Sequence, residues 1–188
     1  MSPADPIDLA QNLAQTRKYA HLCPGTLQRV AAWAMERHPK TDDALKAAKR
    51  KLHQVFASYV SDDVRRWGTW LNQVDWKDDA QIKALAEKVL ATHASSAERR
   101  VDCSRVYEQL WAITGTPASL VDLGGGVNAF ALPWMGLPRT TMYYCTEIDS
   151  RMVEAINRWL RGCGQTGEAF VRICWWTHGP GRWMWQCC

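Results

Sequence analysis

Leu120-Val121-Asp122-Leu123-Gly124-Gly125-Gly126-Val127-Asn128 decides the reading of this chain, taken with Tyr143-Tyr144-Cys145-Thr146-Glu147-Ile148-Asp149 further on. The order is a strand, a glycine turn, a helix and a second strand that ends in an acid. Such an order builds a cofactor pocket from backbone geometry. The apolar run delivers the chain to the edge of a parallel sheet, and glycines let the backbone turn and approach a ligand closely. An acid at the end of the second strand can accept both hydroxyls of a ribose. An adenosine-bearing cofactor on an α/β fold is the first expectation.

Details choose among such cofactors. A dinucleotide fingerprint has glycines at the three positions of G-x-G-x-x-G. Gly124 and Gly126 fill the first two, and Ala129 stands at the third, where alanine is tolerated. Asp122, two residues before Gly124, discriminates better. An acid there resembles the first motif of S-adenosylmethionine-dependent methyltransferases. It can face the cationic methionine end of that cofactor, whereas it would repel a pyrophosphate. Three glycines after an apolar run can also be a plain turn; Asp122 and Glu147 together weigh against that. A nucleotide-dependent oxidoreductase is disfavoured by Asp122, by the helical front of the chain and by the lack of a complete second nucleotide-binding half.

The 188 residues suit one domain or one and a half, so most of the sequence before Leu120 must be something other than the methyltransferase sheet. Net charge is +4 and the pI near 8.7, a mild bias toward a polyanionic partner. Seven cysteines are irregularly spaced, with no C-x-x-C pair, so small thiols in a reducing compartment are expected and no metal site. No leader pattern and no run of membrane-spanning length is found, and the expectation is a soluble cytoplasmic monomer that does not engage a membrane.

From about residue 6 to 113 the pattern is helical. Asp5 or Asp8 can cap a first helix and Thr26 a second after Pro24-Gly25, and Thr41-Asp42-Asp43 opens a third. Ser61-Asp62-Asp63, Asp78, and Ser95 or Ser96 open three more. Thr114-Gly115-Thr116-Pro117 is a hinge, after which the periodicity shortens. The expected organisation is a helical domain over 1–115, the start of a methyltransferase domain over 116–170, and a divergent tail over 171–188. Arg17, Lys18, Arg29, Lys49, Arg50 and Lys51 cluster on the first three helices with Tyr19, Trp33 and Tyr59 among them. A solvated helix face is the plain reading; a platform for a phosphate backbone is the functional one.

Here a resemblance becomes specific. Arg17-Lys18-Tyr19 and Leu22-Cys23-Pro24-Gly25-Thr26-Leu27-Gln28-Arg29-Val30 are similar to the N-terminal domain of the aminoglycoside-resistance 16S ribosomal RNA methyltransferases, which modify N7 of a decoding-site guanine (G1405). Leu52-His53-Gln54 with Tyr59, His93-Ala94-Ser95-Ser96-Ala97-Glu98-Arg99, Ala131-Leu132-Pro133-Trp134-Met135-Gly136-Leu137-Pro138 and Glu147-Ile148-Asp149-Ser150-Arg151 resemble further elements of that family in the same order. The resemblance implies an N-terminal all-helical domain before a Rossmann-like class I methyltransferase domain, and S-adenosyl-L-methionine as cofactor. It implies 16S rRNA within the 30S subunit as substrate, and aminoglycoside resistance as the consequence. It places Gly124 under the cofactor, Glu147 on the ribose, and Arg99 against the methionine carboxylate, with His93, Ala94 and Ser95 lining the methionine side and Tyr59 closing the pocket. Gly125 and Ala129 depart from the family's usual cysteine and proline. The basic residues named above would meet the RNA.

The tail does not fit this pattern. Cys174 to Cys188 is crowded with Trp, Cys, Gly, Arg and Pro, residues with GC-rich codons, and shows neither strand alternation nor a helical stripe. The expectation is a shift of reading frame near residue 170 that removes the third strand and those beyond it. On that reading the chain is inactive through truncation, or persists as a non-catalytic ribosome-binding remnant.

Overall fold

A computed structural model describes residues 5–54, 64–93, 96–97, 102–172, 174–179 and 182–187. The chain divides into two compact units: residues 1–58 with 148–150 and 171–188, and residues 59–147 with 151–170.

In the first unit, α1 (Pro6–Gln15), α2 (Pro24–Arg37) and α3 (Thr41–Leu52) pack in sequence. Asp5 caps α1, its Oδ1 accepting from the Ile7 N–H at 2.9 Å. Thr26 does not cap α2, as the sequence suggested. The helix starts two residues earlier at Pro24, with Cys23 before it. Proline suits a first helical position because its fixed φ is helical and the N–H it lacks would have no partner there. Ala31, Ala34, Ala44 and Ala48 are fully buried, so small side chains let the helices approach. Tyr19 is also buried, its hydroxyl donating to the Lys49 carbonyl at 3.3 Å, which makes it a core residue and not part of an exposed platform. Residues 148–150 join this unit through the Cys23 N–H donating to the Ile148 carbonyl (2.7 Å) and the Ser150 N–H donating to the His21 carbonyl (2.9 Å).

The tail contradicts the expectation of no regular element. Its backbone forms β4 (Cys174–Gly179) and β5 (Arg182–Cys187), paired antiparallel from Cys174↔Cys187 to Gly179↔Arg182. Aromatic residues favour extended structure whether or not polar residues alternate with them.

The second unit carries α4 (Val64–Gln73), α5 (Asp79–Leu90), α6 (Cys103–Thr114), β1 (Ser119–Leu123), a 3₁₀ turn (Asn128–Ala131), α7 (Leu132–Met135), β2 (Met142–Glu147), α8 (Ser150–Cys163) and β3 (Gly167–Val171). Asp78 caps α5, accepting from the Ala80 and Gln81 amides at 2.9 and 3.2 Å. The Gln81 bonds, then that from Ala80, hold its carboxyl below the usual value. The strand order is β1-β2-β3, with β1 and β2 parallel in the register Leu120↔Tyr143 and Asp122↔Cys145. A third strand is therefore present, ending at Val171, where the sequence suggested none. The helix expected after the glycine turn is only the 3₁₀ turn and the single turn of α7. The core stacks Trp159 on Phe130 (centroids 4.8 Å apart) and Trp67 against Phe130 at 6.0 Å. The Trp159 indole N–H donates to the Ala129 carbonyl at 2.9 Å, so the aromatic cluster also pins the backbone beyond the glycine turn.

Candidate cofactor site

β1 ends at Leu123, and the chain turns at Gly124-Gly125-Gly126 beside the carboxyl end of β2. Ligands of open α/β sheets bind at such carboxyl ends. Gly124 and Gly126 have φ of +64° and +54°, a region costly for residues with a Cβ. A Cβ on Gly124 would project into open space, and one on Gly126 would lie 3.4 Å from Nε2 of His93. The turn is tied to β2 at three points. The Gly124 N–H donates to Oγ1 of Thr146 at 3.1 Å and the Gly125 N–H to the Thr146 carbonyl at 3.2 Å. The Gly126 N–H donates to Oε2 of Glu147 at 3.0 Å. Glu147 is only 8% exposed, so its carboxylate needs donors of this kind.

Asp122 takes a position the sequence did not indicate. Its Oδ2 accepts from the Tyr143 hydroxyl at 2.7 Å and from Nδ2 of Asn128 at 2.8 Å. The Tyr107 hydroxyl donates to Oδ1 of Asn128 at 3.0 Å. The carboxylate is thus turned back under the glycine turn and braced by three side chains, rather than simply presented to a ligand. Gly125 makes this possible, because a Cβ there would lie 2.6 Å from the Asp122 carboxyl carbon. Burial and then the Asp122 charge push the Tyr143 hydroxyl well above its ordinary pKa. Burial, followed by the Asp122 and Glu147 charges, does the same to the Cys145 thiol. Both groups therefore stay neutral. Tyr143, Asn128 and Tyr107 are the residues that sequence reasoning missed. The available signal was Tyr143 itself, since a buried strand hydroxyl must find an acceptor and the acid on the neighbouring strand is two residues along in register.

The structure brings His93, Gly124, Gly126 and Glu147 around one turn. Tyr59, Ala94, Ser95 and Arg99 lie outside the described residues. Arg17, Lys18, Arg29 and Arg50 are exposed on the first unit and Lys49 and Lys51 half-buried. Lys18 Nζ lies 3.5 Å from Nδ1 of His53. Trp33 has the Arg37 guanidinium and the Lys51 ammonium over its ring at 5.2 and 5.5 Å. Among the described residues no group of acids, histidines and cysteines is placed to hold a metal ion, and no helix is long and apolar enough to cross a membrane.

A model of the family described as ribosomal RNA methyltransferase (FmrO) matches residues 15–169. The chain is 30% identical over 169 residues to the 16S rRNA (guanine(1405)-N(7))-methyltransferase of Micromonospora echinospora, a match covering 87% of this chain and 62% of that protein. It is 35% identical over 145 residues to the enzyme of the same name from Micromonospora olivasterospora, covering 74% and 47%. Among solved structures it is similar to the 16S rRNA methylase RmtB, with a TM-score of 0.75 at 22% identity over 90% of this chain and 65% of that one. The 16S rRNA methyltransferase RmtF in complex with S-adenosyl-L-homocysteine gives 0.72 at 24% identity, covering 88% and 61%. The last two likenesses concern the fold, a helix-rich α/β architecture with a small sheet. The chain spans about three-fifths of the length of the first of these relatives. On the match of its residues 15–169, the chain belongs to the ribosomal RNA methyltransferase (FmrO) family.

Proposed function

We propose that this chain binds S-adenosyl-L-methionine and is built for methyl transfer to N7 of a guanine in 16S rRNA. The observation that carries the reading is the Glu147 carboxylate, buried at the carboxyl end of β2 and bonded to the Gly126 amide at 3.0 Å. A ribose would be held by Glu147, and the backbone of Gly124 and Gly126 would approach the ligand closely. His93, Ala94 and Ser95 would line the methionine side, Tyr59 would close it, and Arg99 would offer a guanidinium fork to the carboxylate. When bound, the cofactor supplies an electrophilic methyl group. N7 of guanine carries no proton, so no general base is required of the chain. Its residues contribute alignment and exclusion of water.

In this reading residues 1–115 are a helical RNA-binding domain, with Arg17, Lys18, Arg29, Lys49, Arg50 and Lys51 on the phosphate backbone. Residues 116–170 begin a Rossmann-like class I domain, and 171–188 are a stretch read out of frame. The protein acts on the 30S subunit as a cytoplasmic monomer, and methylation confers aminoglycoside resistance. A second reading, an RNA-binding remnant that does no chemistry, is favoured by the end-of-sheet position of β1, which leaves its outer side without a strand among the described residues. Transfer of labelled methyl from S-adenosyl-L-methionine to 30S subunits separates the two. Incorporation at a single guanine supports the enzyme. Subunit binding without incorporation supports the remnant. Neither binding nor a thermal shift with S-adenosyl-L-homocysteine would overturn both.

A further inference from the structure

A second cavity lies in the sheet-bearing unit, away from the glycine turn. It has a volume of about 310 Å³ and is lined by Asp79, Ile82 and Lys83 of α5, by Leu132, Pro133, Leu137 and Arg139, and by Cys163 and Gln165. It sits where the strands begin. Arg139 and Thr141 immediately precede β2, Gln165 precedes β3, and the Thr166 N–H donates to the Arg139 carbonyl at 3.0 Å. The glycine turn is at the opposite, carboxyl end of the strands. This cavity is therefore separate from the candidate cofactor site.

Its chemistry is two-faced. Ile82, Leu132, Pro133 and Leu137 make an apolar floor, and Lys83, Arg139 and Asp79 stand at its exposed rim, two cations against one carboxylate. Among the described residues neither cation forms an ion pair. The wall is rigid, because Nε2 of the buried Gln165 donates to the Pro138, Arg139 and Thr141 carbonyls at 3.2, 3.3 and 2.7 Å. Burial pushes the Cys163 thiol up to about 12 even though the Arg139 charge opposes it, so this wall is neutral at physiological pH. A flat apolar group with an attached anion matches such a cleft, and its volume falls in the range of small-ligand sites, roughly 300–1,000 Å³.

We propose that this cleft seats one nucleotide of the RNA that the protein binds, with the base on the Ile82–Leu137 floor and the phosphate between Lys83 and Arg139. The inference rests on the RNA-binding reading above and adds an anchor on the sheet-bearing unit to the basic helices. Each phosphate contact adds salt-sensitive affinity, and an aliphatic floor makes no hydrogen bond that would select one base over another.

The test uses the full chain and a labelled transcript of the small-subunit decoding region, with affinity measured across a salt series. The paired variant Lys83→Gln with Arg139→Gln should weaken binding about tenfold and flatten the salt dependence by about one to two contacts. Leu137→Trp, which fills the floor, should weaken binding with the salt slope unchanged. Lys88→Gln, on the same helix but over the Trp70 ring at 4.0 Å, should bind as the native chain does. Native affinity and slope in both cleft variants would overturn the inference, as would an equal loss in Lys88→Gln. Failure of the native chain to bind the transcript would instead refute the RNA-binding reading itself. Unchanged circular dichroism and thermal midpoints confirm that the variants are folded.

Discussion

At the scale of single residues, the decisive arrangement is a carboxylate under a glycine. Asp122 can fold beneath the turn only because residue 125 has no Cβ, and there it receives the Tyr143 and Asn128 donors. Gly125→Ala should evict it and leave a buried hydroxyl without its acceptor, at a cost of about 1–3 kcal/mol in urea unfolding. Combined with Tyr143→Phe the losses should be less than additive, since both changes break one bond; full additivity would refute the coupling. Glu147→Ala removes the acceptor of the Gly126 N–H and the proposed ribose ligand. Titration calorimetry with S-adenosyl-L-homocysteine should show affinity reduced roughly ten- to a hundredfold, the worth of a hydrogen bond to a charged group. The pH dependence has a definite sign. Tyr143, Cys145 and Cys163 all have folded pKa values above their ordinary 10.0, 9.0 and 9.0. The unfolded chain therefore loses these protons first as pH rises. The stability they contribute is full below pH 9 and declines toward the folded values, about 12 for Cys163. Urea midpoints should fall above pH 9, and the combined Tyr143→Phe, Cys163→Ser variant should fall less steeply.

At the scale of elements, α8 ties the core of the sheet-bearing unit to the backbone of the site. It buries Met152, Val153, Ala155, Ile156, Trp159 and Leu160 on one face. Trp159 stacks on Phe130, meets the Trp76 edge at 5.9 Å and bonds the Ala129 carbonyl. Because Ala129 directly follows the turn and its neighbour Asn128, the same side chain that fills the core also fixes the site's backbone. Trp159→Ala should cost about 3–5 kcal/mol in equilibrium unfolding. Trp159→Phe keeps much of the ring volume but not the N–H. It should recover most of that stability and yet still weaken cofactor binding, because the Ala129 carbonyl is left without its donor.

At the scale of the whole molecule, the sheet edge at β1, unpaired on its outer side among the described residues, predicts self-association. β1 stands at the end of its sheet, with Val121 56% and Leu123 40% exposed, and α6 presents Ile113 at 85% along with Val106 and Leu110. Alternating side chains on an edge strand that stay apolar toward solvent invite pairing with another chain. Sedimentation velocity should show self-association growing with concentration. Val121→Lys with Leu123→Lys should suppress it while leaving the thermal midpoint near native; association unchanged by that pair would place the sticky surface elsewhere.

Local signals in the sequence determined a good deal. The 3.6-residue apolar period marked helices from α1 to α6, Asp5 and Asp78 marked two of their starts, and the apolar run before Gly124 with the acid at residue 147 marked two strands and the glycine turn after the first, whereas the helix expected between them is only a 3₁₀ turn and the single turn of α7. Each of these is a property of neighbouring residues and needs no distant partner. What only the tertiary structure decided is where side chains far apart in sequence meet. Tyr143 bonds Asp122 across two strands, Tyr107 reaches Asn128, and Tyr19 sinks into the core instead of facing solvent. The cleft lined by Lys83 and Arg139 exists only because the start of α5 comes beside the loop before β2. A hydroxyl or a cation carries no mark of which partner it will find; that choice follows from how helices and strands pack once the chain has collapsed.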